Sequence, residues 1–188
     1  MGFKHRKIED ILEETSKFGT LVHSHLQEIV DPEHGKPLAP KDAIEEYELL
    51  QLKSRFKRYI SDYTYETIST ERTLISDKMG YAGTLDWLAW MGPNKDIRML
   101  NDFKTSKRVQ VSMIFQLGGY FNLLKEVGEE PDGGSIVIIN KTTCKLNPFD
   151  HDMLETAGRI FLSLKDWYIE SSQIQVSPSQ KLLERLTS

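Results

Sequence analysis

The sequence predicts an α/β fold in which a mixed central β-sheet, an antiparallel meander plus a returning strand, is flanked by helices. Three observations predict it. Two helical patterns come first, three β-rich segments with short turns follow, and an apolar helix then precedes an apolar strand. Short turns join antiparallel strands, whereas a strand after a long helix can return parallel to the sheet. The 188 residues suit a single domain, expected over residues 1–171 with a flexible C-terminal tail over 172–188.

The first third of the chain predicts two helices. Apolar residues recur at three- and four-residue spacing over residues 6–30, and this pattern ends at Asp31 and Pro32. A proline-rich loop follows. The second helix is expected over residues 41–60, because its acidic first half and basic second half suit the helix dipole.

The middle of the chain predicts the meander. Segments 64–76, 81–91 and 96–104 are rich in Thr, Ile, Tyr, Trp and Leu, as β-strands are. The residues between them, 77–80 and 92–94, are turn formers. Two consecutive hairpins are therefore expected.

The last third predicts a helix, a strand and a helix, over residues 108–127, 135–140 and 152–170. Gly118 and Gly119 lie inside the first of these helices and each costs about 1 kcal/mol relative to Ala. We therefore expect this helix to lie close against the sheet. The pattern Asp152-x-x-Glu155 resembles a capping box for the last helix. Its predicted buried stripe is Met153, Ala157, Ile160, Phe161, Leu164 and Trp167.

Composition and charge limit the classes of function. The net charge of −4, from 24 Lys and Arg against 28 Asp and Glu, argues against a passive nucleic-acid coat protein. The single cysteine, Cys144, excludes an internal disulfide and a zinc or iron–sulfur site built from this chain's cysteines alone. It favours a reducing, cytoplasmic setting. No segment approaches the roughly 20 apolar residues of a membrane span, so no membrane partner is expected.

Three polar residues in the predicted meander point to chemistry. Asp86 lies in an apolar strand, and Asp102 and Lys104, two residues apart, share a face of the next strand. A hairpin can bring Asp86 beside Asp102, and two adjacent carboxylates are unfavourable unless a cation or a proton joins them. Mg²⁺ accepts such ligands, and a nearby lysine can stabilise a phosphate or help to activate water. The set predicts metal-assisted phosphodiester hydrolysis, although an Asp-x-Lys pair is also common on solvated strand faces.

An ordered set of motifs carries a resemblance to a known family. Gly83-x-x-Asp86, Asp102-x-Lys104 and Gln116-x-x-x-Tyr120 together resemble the PD-(D/E)XK nuclease superfamily, in particular its RecB-like and lambda-exonuclease-like branch. Gly19-x-x-x-His23 on the first helix and Glu71 on the first strand also fit that branch. The resemblance covers about residues 15–170 and implies a restriction-endonuclease-like core in a stand-alone nuclease.

The resemblance implies a metal site. Asp86 and Asp102 would bind one or two Mg²⁺ or Mn²⁺ ions, with the carbonyl group of Phe103 as a backbone ligand. His23 would complete or flank the site. Glu71 would bind a second metal ion or support the site.

The resemblance also implies roles in catalysis and DNA binding. Lys104 would position or activate the attacking water, and Gln116 would orient Lys104 or the scissile phosphate. Tyr120 would line the same cleft and touch the DNA. The basic pair Lys107 and Arg108 directly follows the Asp-x-Lys strand, so we expect it to contact phosphates.

These inferences favour a metal-dependent DNA nuclease, most simply an exonuclease of phage or bacterial recombination or repair. DNA would be its substrate, with further copies of the chain or a recombination protein as partners. Two alternatives stay open. One is a non-catalytic nucleic-acid- or protein-binding module that has kept the nuclease fold, and the other is a structure-specific or RNA-processing endonuclease with the same core.

Overall fold

The computed structural model describes residues 8–172. These residues form four helices and five strands, which are, in chain order, α1 (Ile8–Val30), α2 (Ala43–Ile60), β1 (Tyr65–Ser76), β2 (Tyr81–Met91), β3 (Ile97–Lys104), α3 (Val111–Glu126), β4 (Gly133–Ile139), β5 (Cys144–Asp150) and α4 (His151–Ser172). Apart from Ser172, the predicted tail lies outside the described residues. No helix over residues 8–172 combines the length and the hydrophobicity needed to span a bilayer.

The five strands form one sheet in the order β1-β2-β3-β4-β5. The first three are an antiparallel meander, and β4 pairs parallel to β3 after the α3 crossover. The predicted fold class is therefore confirmed. The sequence analysis missed β5, which pairs antiparallel to β4 at the edge of the sheet. Its sequence contains Asn147 and Pro148, and proline is tolerated in strands mainly at such edges.

Helices cover both faces of the sheet. On one face, α1 and α2 bury an apolar cluster that includes Val22, Leu26, Phe56, Trp87 and Phe103. On the other face, α3 and α4 bury a second cluster that includes Leu88, Leu100, Leu117, Phe121, Ile136 and Leu154. The central strands β2, β3 and β4 contribute to both clusters, so polar residues at their centres, such as Asn101 and Ser135, are fully buried.

The helix α3 packs against the sheet as expected, but its glycine pair faces α4, so the reason expected for the pair was wrong. A Cβ atom added at Gly118 would lie against the backbone nitrogen of Gly158 and 2.5 Å from the carbonyl carbon of Ala157. A Cβ atom at Gly119 would lie 3.1 Å from the ring of Phe161. The glycines therefore permit a close helix–helix contact, which a sequence cannot distinguish from a close helix–sheet contact.

The start and the buried stripe of α4 also differ from the prediction. Asp150 caps the helix, since its Oδ1 accepts a hydrogen bond from the backbone N–H of Met153 at 2.8 Å, and the expected capping box at Asp152 is out of register. Leu154 and Ala157 are buried, as is Gly158. Most of the predicted stripe is exposed, namely Met153, Ile160, Leu164 and Trp167. Small residues bring α4 close to α3 along a narrow line, so apolar periodicity overstated the buried area.

We expect Gly118→Ala to lower the free energy of unfolding by about 1–3 kcal/mol, because the added methyl group meets backbone atoms of α4 that cannot rotate away. Urea unfolding followed by circular dichroism measures the change. Gly19→Ala is the matched control in α1, since its Cβ atom would have only Thr105 Oγ1 nearby, at 3.7 Å. It should stabilise the protein by up to about 1 kcal/mol through helix propensity. Equal effects of the two changes would contradict the packing argument.

Candidate active site

The site lies where β2 and β3 separate. The last residue pair of this ladder is Trp87 with Asn101, so Asp86 and Asp102 come next on their strands. The backbone N–H of Phe103 donates a hydrogen bond to Oδ2 of Asp86 at 2.7 Å. The carboxylate of Asp86 therefore occupies the gap between the strands and satisfies a backbone donor that the ladder leaves unpaired.

Asp102 is a buried carboxylate with one close cation. Its side chain is 2% exposed, and Nζ of Lys104 lies 2.7 Å from its Oδ2. That oxygen nevertheless has no hydrogen-bond partner of acceptable geometry, so the contact is an ion pair with poor angles. Burial, followed by the negative charge of Asp86, raises the pKa of Asp102 to about 6, although Lys104 opposes the shift. A further cation beside the two carboxylates would favour the ionised form of Asp102.

His23 approaches the carboxylates from α1. Its Nδ1 atom lies 3.5 Å from Oδ2 of Asp86, and its ring packs edge-on against the ring of Phe103. Burial lowers the pKa of His23, but the polar and charge interactions with Asp86 outweigh burial, so the net pKa is raised. Gly19, one turn earlier, faces Thr105 just beyond β3. A Cβ atom at Gly19 would make only an ordinary contact with Thr105 Oγ1, at 3.7 Å, so the approach of α1 does not depend on this glycine.

Glu71 is a third acidic residue at this position along the sheet, on the strand next to that of Asp86. Its neighbours Thr70 and Arg72 pair with Trp87 and Leu85, which places Glu71 opposite Asp86. Its φ of 45° is in the left-handed region, where a residue other than glycine is strained by about 1–3 kcal/mol. The side chain is exposed, yet partial desolvation and the charge of Asp86 raise the pKa of Glu71. Such local strain is typical of functional sites.

Gln116 and Tyr120 reach the site from α3. Nε2 of Gln116 donates a hydrogen bond to the hydroxyl oxygen of Tyr120 at 2.7 Å, and this amide is not hydrogen-bonded to Lys104. Burial, then the charges of Asp102 and Asp86, raise the pKa of Tyr120 to about 12, so the phenol is neutral. Because its oxygen accepts from Gln116, the hydroxyl proton is free to donate elsewhere.

Packing explains why the first residue of the Gly-x-x-Asp motif, Gly83, is a glycine. A Cβ atom at this position would lie 2.7 Å from Cε1 of Tyr120. Glycine therefore lets the Tyr120 ring lie directly on β2, three residues before Asp86. Gly83 thus admits a side chain of α3 to the site, which His23 of α1 approaches from the opposite face of the sheet.

Lys107 and Arg108 lie in the exposed loop after β3. Neither has an ion-pair partner among residues 8–172. The loop itself is held, because the backbone oxygen of Ser106 accepts a hydrogen bond from Nδ2 of Asn140. By contrast, two basic residues in the second half of α2 already have partners within the protein. Lys53 forms an ion pair with Glu28, and Arg55 donates a hydrogen bond to the backbone oxygen of Asn140.

The carboxylate oxygens at this site are ligands of the kind that a hard divalent cation prefers. Within residues 8–172, no group of three or more His, Cys, Asp or Glu side chains is close enough, as it stands, to hold a metal ion. Mg²⁺, however, binds proteins through one or two carboxylates and completes its octahedron with waters and substrate oxygens. Asp86 and Asp102 supply two neighbouring carboxylates, and the buried Oδ2 of Asp102 lacks a hydrogen bond. The residues present therefore fit Mg²⁺ or Mn²⁺.

An open cleft adjoins the carboxylates, with a cavity volume of about 550 Å³. His23, Glu71 and Asp86 form one side of it. Gln27, Lys36 and Thr84 also line it, and the sequence analysis did not single them out. No spacing pattern could have found them, because they come from α1, the following loop and β2.

Comparison with known proteins gives a likeness of fold. No family model and no curated protein matches the chain. The crystal structure of “Putative exonuclease” from Eubacterium rectale matches with a TM-score of 0.51 and 11% identity, over 92% of this chain and 71% of that one. The crystal structure of SSO0001 matches with 14% identity over 66% of this chain and 62% of that one, but its TM-score of 0.35 carries no argument. The chain thus shares the α/β core of the Eubacterium rectale protein.

We expect Asp102→Asn to raise the free energy of unfolding at pH 7 by about 1–3 kcal/mol in metal-free buffer. The raised pKa of Asp102, about 6, means that ionisation destabilises the folded state, so stability falls as pH rises from about 4 to 6. Urea unfolding at pH 4 and pH 7 tests this, since the gain should vanish at pH 4. The control Asp166→Asn alters a carboxylate that is 64% exposed and should change stability by less than about 0.5 kcal/mol.

Glu71→Gly should stabilise the protein by about 1 kcal/mol, because glycine adopts the φ of 45° without strain and the charge beside Asp86 is removed. Thermal and urea unfolding measure the gain. Glu66→Gly is the matched change in the same strand, at a residue outside those with positive φ. It should destabilise the protein by about 0.5–1 kcal/mol. A loss of stability in both variants would refute the strain at Glu71.

Proposed function

We propose that the chain is a Mg²⁺- or Mn²⁺-dependent DNA nuclease, most simply an exonuclease of phage or bacterial recombination or repair. The observation that carries the proposal is the meeting of Asp86, Asp102 and Lys104 at the point where β2 and β3 separate, with Lys104 2.7 Å from Asp102. The likeness of fold to a protein named as an exonuclease supports it. A cytoplasmic location and association with a recombination protein or further copies of the chain belong to the same proposal.

Asp86 and Asp102 would hold one or two metal ions, with the carbonyl group of Phe103 and His23 beside them. The bound ion would supply Lewis-acid stabilisation of phosphate charge and lower the pKa of water. The protein prepares this by holding the carboxylate of Asp102 where burial and the charge of Asp86 disfavour its ionised form without a cation. Glu71 would add negative charge at the mouth of the site.

Lys104 would act on the scissile phosphate. Its ammonium group has three donors, and the ion pair with Asp102 holds it at the end of β3 while its side chain stays 20% exposed. The remaining donors can face phosphate oxygens or orient the attacking water. A fixed positive charge there stabilises the extra negative charge that develops on the phosphate in the transition state.

Tyr120 would donate its free hydroxyl proton to the substrate. Its pKa of about 12 keeps it protonated at neutral pH, and the hydrogen bond from Gln116 fixes its orientation. Lys107 and Arg108 follow Lys104 in the exposed loop and would bind backbone phosphates on either side of the cut.

A non-catalytic binding module with the same fold is the second candidate. The complete set of Asp86, Asp102 and Lys104 argues against it, because such a module does not need a buried, destabilising carboxylate pair. A structure-specific endonuclease shares the whole site and differs only in its substrate. Cleavage of covalently closed circular DNA separates an endonuclease from an exonuclease.

We expect Asp102→Ala and Lys104→Ala each to reduce Mg²⁺-dependent degradation of end-labelled linear DNA by at least about 100-fold. The matched controls Asp166→Ala and Lys57→Ala alter exposed residues away from the site and should keep wild-type rates. Circular dichroism confirms that each variant is folded. Wild-type activity in either site variant would show that the residue has no catalytic role, and degradation of closed circles would exclude an exonuclease.

Calorimetry provides a readout that does not depend on activity. Wild-type protein should bind Mg²⁺ or Mn²⁺, and Asp102→Ala should weaken this binding by at least about tenfold, since a carboxylate ligand is lost. Asp166→Ala should bind as the wild type does. A folded wild-type protein that binds neither ion would favour the non-catalytic module.

A further inference from the structure

Side-chain hydrogen bonds join the end of α1 to an irregular part of β1. Oγ1 of Thr67 donates a hydrogen bond to the backbone oxygen of Val30 at 2.6 Å. Oγ1 of Thr70 accepts a hydrogen bond from Nε2 of Gln27 at 3.0 Å and donates one to Oδ2 of Asp31 at 2.9 Å. These contacts use side chains and lie outside the backbone ladder of the sheet. They therefore fix where this segment of β1 lies relative to α1.

The hydrogen bonds of Thr70 lie next to the candidate active site. Gln27 is about one turn after His23 on α1, and Thr70 immediately precedes Glu71 on β1. His23, Gln27 and Glu71 all line the open cleft beside Asp86. The contact with Gln27 thus joins the helix that carries His23 to the strand that carries Glu71.

The same segment of β1 departs twice from regular strand geometry. Its pairing with β2 shifts register between Thr67 and Ser69, which leaves Ile68 without an opposite residue, as in a β-bulge. Glu71 follows with its φ of 45°. Bulges beside active sites change the direction of side chains, and a strained backbone persists only where its surroundings hold it. The segment around Thr70 therefore needs a restraint from outside the strand.

The restraint comes from an anchored helix end. Thr67 precedes the bulge and Thr70 follows it, and both are tied to the last residues of α1. Thr67 also accepts a hydrogen bond from Nε1 of the buried Trp87 at 3.1 Å. Asp31 is only 12% exposed, and its Oδ1 lies 2.9 Å from Nδ1 of His34, so the group that holds Thr70 is itself held.

The direction of the hydrogen bonds at Thr70 follows from the chemistry of its partners. A hydroxyl group has one proton, and an ionised carboxylate can only accept. The proton of Thr70 therefore points to Asp31, and a lone pair of its oxygen faces the amide of Gln27. Valine has a similar shape but neither donates nor accepts, so Thr70→Val removes both hydrogen bonds with little change in volume.

We propose that Thr70 is a positioning residue, which keeps the carboxylate of Glu71 beside Asp86 at the proposed metal site. It does so through its hydrogen bonds with Gln27 and Asp31. This inference rests on the proposed nuclease function, in which Glu71 adds negative charge at the mouth of the site. Without the two hydrogen bonds, β1 is free to relax towards regular geometry, and Glu71 no longer strengthens metal binding.

Calorimetry with Mn²⁺ on the full chain tests the proposal. Thr70→Val should weaken Mn²⁺ binding about tenfold, as loss of a partner that orients a metal ligand does. Thr70→Ser keeps the hydroxyl group and should bind Mn²⁺ as the wild type does. Thr73→Val is the matched control, because this exposed residue of the same strand has its own hydrogen bond, to Thr84 at 2.9 Å. It should leave Mn²⁺ binding unchanged.

A double-mutant cycle separates positioning from a general loss of stability. Glu71→Gln should itself weaken Mn²⁺ binding about tenfold, and Thr70→Val should then add less than about a twofold loss. A purely structural role would lower the urea midpoint of Thr70→Val without this dependence on Glu71. Equal losses of affinity from Thr70→Val with and without Glu71 would overturn the inference, as would wild-type affinity in folded Thr70→Val.

Gln27→Ala keeps the proposal testable if Thr70→Val does not fold. It removes one of the two hydrogen bonds and should weaken Mn²⁺ binding about threefold, again only while Glu71 is present. Unchanged affinity in this variant, in a wild-type background that binds Mn²⁺ and cleaves DNA, would refute the positioning role alone. A folded wild-type protein that neither binds Mn²⁺ nor cleaves DNA would refute the nuclease function and the positioning role together.

Discussion

The hydrogen bond from the backbone of Phe103 to the side chain of Asp86 joins the site to the core of the protein. It spans the gap in which β2 and β3 no longer pair, so the carboxylate of Asp86 is held by the main chain of the neighbouring strand. The ring of Phe103 points into the core, where it contacts His23, Phe56 and Trp87. Packing on the α1–α2 face therefore positions both Asp86 and His23. A side chain that is fixed in this way has little freedom to change its position.

Unfavourable interactions are concentrated around that bond. Asp102 is buried beside another carboxylate, its pKa is raised to about 6, and one of its oxygens has no hydrogen bond of good geometry. Glu71 adds a left-handed backbone conformation in the adjacent strand. Elsewhere the sheet is covered on both faces by apolar side chains. The stability that this core supplies permits locally unfavourable interactions at the candidate site.

Small residues determine how closely the helices approach this sheet. Gly83 admits the ring of Tyr120, so α3 brings a polar side chain to the carboxylates that His23 of α1 approaches from the opposite face. Gly118 acts differently, because it permits the contact between α3 and α4 and takes no part in the site. The fold thus separates a glycine needed for the packing of two helices from a glycine needed at the candidate site.

The sequence by itself determined the fold class, the three-strand meander, the parallel return of β4 and the pairing of Asp86, Asp102 and Lys104. These depend on local patterns, namely the periods of helices and strands, short turns and the alternation of side chains along a strand. Only the tertiary structure decided the partner of Gly118, the exposure of Trp167, the edge strand β5 and the hydrogen bond between Gln116 and Tyr120. It also created the cleft with Lys36 and Gln27. Each of these depends on which surfaces meet across long stretches of chain, and periodicity carries no information about that.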